Sequence, residues 1–498
     1  MTPPAMRRPT AWMASGIVLA AGLAVRAPGA TRLPLNVDEP LYLVTAQVPA
    51  TWLTLYRDTL FNKPALSILS YKLALLSAHP LLALWSITTL LIVATALLLS
   101  RVATRLAGDE TTGLLAGLLY YAFVNRAPNG IASAQLEHPI NLLIAGVMYL
   151  LVVHDVRRPW VRTMSVAAVV ALALLKQYLV VFVIVLGLAA QSVSLCVIAG
   201  VAVVVAFAAH FALFHESFGN LVLFSGRYYH PEPLAGMRAL AKFAGKSAGL
   251  LVGAWLVSGA WRRLPASGAR KASLTRWMTR HRVSLIVLAL GAITVLTTKG
   301  WPPHLLLLVP PVTVLAASAM ASLCRGARGA LPVIALLISV YIGYGVRETL
   351  RYSHHAAWTW QLVAERDYEM AVRMARRDGA RTVYTFPAPI PEFYFDAGIA
   401  AAGFNPENDY RAAIGRSVDL QERFREGFER NRPDLCIEIA PRRGSEGFVN
   451  PDYARFVHDL VAARGRMIAD SGGVRVWDCR RGIRANLSLV THGPLTHP

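Results

Sequence analysis

The chain has 498 residues, 55% of them hydrophobic and 16% charged, with 50 Lys and Arg against 29 Asp and Glu for a net charge of +21. About a quarter of a soluble domain is usually charged, whereas several stretches here run for about 18 residues or more almost without charge, enough to cross roughly 30 Å of hydrocarbon. A soluble protein is excluded, as is a disulfide scaffold, since only four cysteines occur.

The basic excess has a topological cause. The loop from Trp261 to Arg282 holds Arg262, Arg263, Arg270, Lys271, Arg276, Arg280 and Arg282 and no acid. Cytoplasmic loops of membrane proteins collect Lys and Arg in this way. The implied partners are anionic lipid headgroups; nucleic acid is not.

Arg7 and Arg8 precede the first apolar run, and "APGA" follows it, as in a signal peptide. The many later spans favour an uncleaved anchor. About eleven spans are predicted, near 11–28, 81–101, 111–125, 139–154, 163–176, 178–192, 193–214, 243–261, 283–298, 304–323 and 329–346. Arg101 and Arg105, then Arg157, Arg158 and Arg162, then the 261–282 loop, then Arg325 and Arg328 all fall on one side. With the N-terminus cytoplasmic, that side is the cytoplasm, and the odd span count sends the C-terminus to the opposite face.

The same outer face receives 38–79, 125–138, the Lys176–Tyr178 corner, 215–242 and 298–304. In the first of these, "EPLYLVTAQVPATWLTLY" and "PALSILSYKLALLSAH" read as amphipathic helices lying along the membrane with aromatic anchors. After Val346 the charges return. "RTVYTF", "DLCIEIA" and "VRVWDC" read as strands, and "PEFYFDAGIAAA", "DLQERFREGFERN" and "PDYARFVHDLVAARG" as helices between them. Two domains follow: 1–346 in the membrane and 347–498 outside it, the latter an α/β domain with its core near 365–480. Cys436 and Cys479 both lie in this tail, where spacing alone leaves a bridge open.

The outer face also carries the conspicuous polar residues. "NVDEP" places Asp38 and Glu39 before Pro40, at the start of a helix where anions are stabilised. "LYRDTLFNKPALSIL" adds Arg57, Asp58 and Lys63 to apolar text. Lys176 interrupts "LALLKQYLVV"; a lysine at the centre of a span costs a few kcal/mol, so two short spans meeting at Lys176–Gln177 are expected, with Lys176 at the outer membrane edge and suited to phosphate. Lys299, beside "GWPPH", is a similar candidate. In "LFSGRYYHPEP", Arg227, Tyr228 and Tyr229 fit either a substrate lid or an interfacial aromatic belt.

These motifs, in this order, resemble the integral-membrane GT-C glycosyltransferases. The nearest branch is the family 39-like group of protein mannosyltransferases and lipid A aminoarabinose transferases. The resemblance rests on "DE" after the first span, on "LYRD" followed by "NKPAL", and on "KGWPPHLLLLVPP" with His304 on the family's histidine. It implies an α-helical polytopic membrane protein of GT-C fold, with interfacial helices in the first outer loop and a small extracytoplasmic α/β domain. It also implies an inverting transfer of sugar from a polyprenyl-phosphate donor to a glycan, lipid or protein hydroxyl, in a bacterial inner membrane.

That chemistry needs a base near the acceptor and positive charge on the leaving phosphate. Asp38 aligns with the family's catalytic aspartate and is expected to act as base, with Glu39 orienting it. Lys63, in the family's Lys-Pro position, is expected to neutralise the phosphate together with Lys176, Arg227 and Lys299. Glu137, where relatives carry a second acid, is assigned to sugar hydroxyls or a divalent cation. His138, Tyr228, Tyr229 and His304 complete the sugar and acceptor candidates, and Arg57 and Asp58 form a structural pair in the loop. Some relatives place an acid just before the Lys-Pro that is associated with a metal; here that residue is Asn62, so no cofactor is assigned and a divalent cation stays open. The competing readings are a flippase or other transporter for lipid-linked substrates, which usually shows internal repeats absent here, and a GT-C partner without activity.

Overall fold

The structure is a computed structural model. It describes residues 10–30, 38–48, 51–126, 136–224, 233–257, 275–297, 302–326, most of 334–347 and most of 363–480. Arg227, Tyr228, Tyr229 and Lys299 lie outside the described residues, as do the side chains of Asp38 and Glu39. The chain divides into two compact units: Met1–Glu39 with Asn62–Ala356, and Pro40–Phe61 with Ala357–Pro498.

The first unit is built of apolar helices: Ala11–Ala30, Pro80–Ala107, Glu110–Arg126, Glu137–Val153, Pro159–Leu175, Phe182–Ala190, Val193–Leu213, Pro233–Val257, Arg282–Thr297 and Val309–Gly326. Each falls on an expected span, most within the few residues by which such edges shift, while Pro233–Val257 begins ten residues ahead of the expected start at 243. The Pro80 helix shows why its ends fall where they do. Proline opens it, since its missing N–H would be unsatisfied there anyway, and Gly108 closes it at φ 76°, where a side chain would strain the backbone. Its 28 residues span about 42 Å, more than the hydrocarbon core.

These helices are apolar on the outside as well as the inside. Leu90, Ile184, Leu188, Val193, Val204 and Val205 are all exposed, an arrangement that water would punish and lipid tolerates. Inside, Ile92, Tyr121, Phe123, Ile144, Leu172 and Met320 belong to one continuous buried cluster. This is a membrane protein.

The second unit is an α/β domain around a five-stranded sheet. The strands, with the short pair included, are β1 (Thr59–Leu60), β2 (Thr382–Pro387), β3 (Ala400–Ala401), β4 (Asn405–Pro406), β5 (Leu435–Ile439), β6 (Arg466–Asp470) and β7 (Val474–Asp478). The sheet order is β3-β2-β5-β7-β6, parallel from β3 to β5 and antiparallel from β5 to β6. β1 and β4 form a separate parallel pair. The helix Val418–Arg430 is capped by Ser417, and Pro451–Arg464 by Asn450, whose side chain accepts from Tyr453 N at 2.9 Å.

Three departures from the sequence reading have physical causes. "PEFYFDAGIAAA" is helical only over Glu392–Ala397, because Gly398 turns left-handed at φ 68° and releases the chain into β3. β6 escaped notice because it is an almost wholly exposed edge strand without apolar alternation. The segment 40–61, read as part of the membrane unit's outer loop, belongs to the second unit. Its helix, Asp38–Gln47, contributes Val44, and the residue just past the helix, Val48, joins it in a core with Val363, Phe393, Ile437 and Val476.

Cys436 and Cys479 are fully buried there with sulfurs 2.7 Å apart, so the fold unites thiols separated by 43 positions. Nearby, Tyr384 and Tyr453 share a hydrogen bond of 2.8 Å, and Tyr394 accepts from Thr385 N at 3.1 Å. Burial pushes all three phenols above their ordinary range.

Candidate active site

The membrane unit gathers charged residues at one place, and the local sequence explains how. The helix Pro159–Leu175 ends because Lys176 takes an extended conformation, φ −146° and ψ 121°. A 3-10 turn, Gln177–Val181, follows before the chain re-enters a helix at Phe182. Lys176 thus sits at the break between two short helices, as its cost in mid-span demands. Glu137 opens the helix Glu137–Val153, at the positive end of the helix dipole.

The two side chains meet across 39 positions of sequence. Lys176 Nζ lies 2.5 Å from Glu137 Oε1, and both side chains are almost completely buried, at 7% and 2% exposure. Around them stand three more groups. Lys176 Nζ lies 5.7 Å from the Tyr178 ring centroid, a cation–π approach. The His304 ring meets the Tyr178 ring edge-on at 5.4 Å between centroids. Lys63 is within electrostatic reach of both Tyr178 and His304.

Asn62 ties the lysine loop to this cluster. Its side-chain oxygen accepts from Lys63 Nζ at 3.0 Å, and its backbone oxygen accepts from Gln177 Nε2 at 3.0 Å. Of the residues expected from sequence, the structure therefore brings together Lys63, Glu137, Lys176 and His304. His138 is fully buried, but the helix turns it about 100° away from Glu137. The backbone of Asp38 and Glu39 forms the first turn of the helix Asp38–Gln47, as "NVDEP" predicts.

Arg57 and Asp58 belong to the second unit. Arg57 Nε is 3.1 Å from the buried Asp58 Oδ1, and Arg430 Nε stands 3.7 Å from the same oxygen. Arg430 also donates to Arg57 O at 2.9 Å, so the pair fastens the loop to the helix Val418–Arg430.

Sequence reasoning noted Asn62 only for the acid it replaces, and it gave Gln177, Tyr178 and Arg26 no role in the site. The Arg26 guanidinium is buried inside the first span, donating to Thr89 Oγ1 at 3.0 Å and to Trp85 O at 3.2 Å. The signal for Arg26 was present, as a charge ten residues or more from the basic N-terminus and within apolar text. Tyr178 gave none, since tyrosine is common at membrane interfaces.

The arrangement has a definite electrostatic character. Two ammonium groups stand here in a region of low dielectric: Lys176 pairs with the Glu137 carboxylate, and Lys63 acts with Lys176 on His304. The Tyr178 hydroxyl is buried without a hydrogen-bond partner, as is Asn141 Oδ1 one turn along from Glu137. A site with two ammonium groups and an unbonded hydroxyl suits an anion with several acceptor oxygens. At Glu137 itself a divalent cation fits poorly, because Lys176 already covers that carboxylate.

No family model matches the sequence, and no curated protein matches it. Solved structures do match. The fold is GT-C, the architecture of a class of integral-membrane glycosyltransferases. ArnT from Cupriavidus metallidurans, crystallised in the apo state, superposes with a TM-score of 0.58 at 13% identity, over 93% of this chain and 97% of that one. The arabinofuranosyltransferase AftD from Mycobacteria matches over 93% of this chain and 40% of its own, with a TM-score of 0.45 at 15% identity.

Proposed function

We propose that the chain is an inverting glycosyltransferase that moves a sugar from a polyprenyl-phosphate donor to an acceptor hydroxyl at the outer face of a bacterial inner membrane. The observation that carries the reading is the buried cluster of Lys63, Lys176, Glu137, His304 and Tyr178 in a GT-C fold, with its two ammonium groups. A phosphodiester brings acceptor oxygens to those groups, and its polyprenyl tail remains in hydrocarbon.

In the proposed reaction Asp38 removes the proton of the acceptor hydroxyl while that oxygen attacks the anomeric carbon. The bond between that carbon and the phosphate oxygen breaks on the opposite face, and its electron pair goes to the phosphate. Lys63 and Lys176, with Arg227 and Lys299 as further candidates, hold the charge that develops there. Glu39 orients Asp38, Glu137 and His304 address sugar or acceptor hydroxyls, and His138, Tyr228 and Tyr229 are assigned to the acceptor side. The N-terminus is cytoplasmic and the α/β domain periplasmic, where it recognises the acceptor. Reporter fusions at residues 2 and 498 test that orientation.

The deciding experiment uses the full chain in lipid nanodiscs with a panel of radiolabelled polyprenyl-phosphate sugars and cell-envelope extract as acceptor. Transfer from one donor that collapses in Asp38→Asn supports the class and the base together. Equal transfer by parent and variant removes Asp38 from catalysis. If no donor is consumed, a lipid-carrier flippase or a partner without activity takes the place of this reading.

A further inference from the structure

The cluster also says what supplies the cation at Glu137. We infer that Lys176 is a built-in counter-charge standing where a carboxylate-bound divalent metal would otherwise sit, so that this site binds its phosphodiester without a metal ion. The inference deepens the proposed function and rests on it for the identity of the anion.

A carboxylate that is 2% exposed requires a cation in contact, because an isolated buried charge costs many kcal/mol. Chains meet this requirement with a metal or with an ammonium. Here the ammonium comes from the chain itself, at 2.5 Å, on a residue whose own backbone breaks a helix to deliver it. Asn62, which the Gln177 side chain joins to the cluster, is neutral, and its amide oxygen is engaged by Lys63. A divalent ion would be repelled by the Lys176 ammonium already seated on Glu137; a phosphodiester would be attracted to it. Tyr178 points to the same ligand class. Its hydroxyl is buried with no hydrogen-bond partner beside the Lys176 ammonium, and a phosphate oxygen would accept that proton.

Lys176 is therefore a positioning residue with two faces, one toward Glu137 and one toward the leaving phosphate. A single ammonium can do both, since it carries three donors. The fixed charge also makes the site indifferent to metal supply.

The test begins with the unaltered full chain in nanodiscs. Its Mg, Mn and Zn content is measured by elemental mass spectrometry. Binding of a fluorescent polyprenyl phosphate lacking sugar is then measured with and without a chelator. No stoichiometric metal, and binding unchanged by chelator, is the expected result. One metal per chain, with binding lost in chelator and restored by the ion, overturns the inference. A second arm compares Lys176→Met with Lys176→Arg at a temperature where melting curves show both to be folded. Binding of polyprenyl phosphate should weaken about 100-fold in the first and stay within about tenfold of the parent in the second. Equal binding by Lys176→Met and the parent overturns the inference as well. If Lys176→Met does not fold, the metal and chelator measurements on the parent still decide. Failure of the glycosyltransferase reading is distinguishable, because it shows as tight binding without transfer from any donor.

Discussion

The two units use ion pairs in opposite ways. In the membrane unit, among the described residues, the pair of Lys176 with Glu137 is buried on both sides and meets at 2.5 Å. In the α/β unit Arg373 pairs with Glu369 at 3.4 Å with both side chains more than half exposed, and Arg475 pairs with Asp470 at 3.3 Å with about two fifths of each exposed. Water and salt screen the second kind to almost nothing, so those pairs tune solubility and local helix stability. The first kind has cost its desolvation already, which makes sense only where charge is needed inside hydrocarbon. The same residue types thus mark a surface in one unit and a candidate active site in the other.

The sharpest way to break that contrast is at the proposed base. Asp38→Asn should lower transfer by about 10³-fold while leaving polyprenyl-phosphate binding within a factor of a few, as expected for a general base. Proportional loss of both would make Asp38 a structural residue.

Next comes the buried pair. Glu137→Gln or Lys176→Met alone should cost about 3–5 kcal/mol, because each leaves an uncompensated charge. The double change to Gln and Met should cost less than either single one. Thermal melts in nanodiscs read this directly, and additive losses would mean that the two side chains do not act as a pair.

The tyrosine cluster of the α/β unit gives a pH test. Tyr384, Tyr394 and Tyr453 all have their phenols raised above the ordinary value by burial. Above pH 10 the unfolded chain releases these protons while the folded one retains them, so the unfolded state binds fewer and stability falls as pH rises. Below pH 10 this contribution is constant. Tyr453→Phe should flatten the alkaline loss followed by near-ultraviolet circular dichroism, and an unchanged slope would exclude this cluster as its cause.

The smallest effects lie at the surface. Asn450→Ala removes the cap of the helix Pro451–Arg464 and should cost about 1 kcal/mol, whereas Glu369→Ala should change stability by no more than about 0.5 kcal/mol. A larger loss from Glu369→Ala than from Asn450→Ala would invert the argument from screening.

Much of this was legible before any fold was known. The spans followed from uncharged length, and Lys176 stood out because a lysine in unbroken apolar text needs an exit to the membrane edge; the helix does break there. Lys63, Glu137 and His304 were singled out by motif and then found in one cluster with it. Gln177 and Tyr178 were not, since their types occur throughout membrane interfaces, and Asn62 was noted only for the acid it replaces. The strand Arg466–Asp470 was illegible because an exposed edge strand needs no apolar alternation.

The sequence by itself determined which segments enter the bilayer, because transfer to hydrocarbon is a sum over consecutive residues and needs no knowledge of partners. It determined helix ends in the same local way, through proline, glycine and capping side chains. Only the tertiary structure decided that Lys176 meets Glu137, that Val44 and Val48 join the core of a domain more than 300 residues away, and that two distant thiols touch. Those contacts depend on how helices and strands pack, and packing is fixed by the fit of whole surfaces, which no single stretch of chain contains.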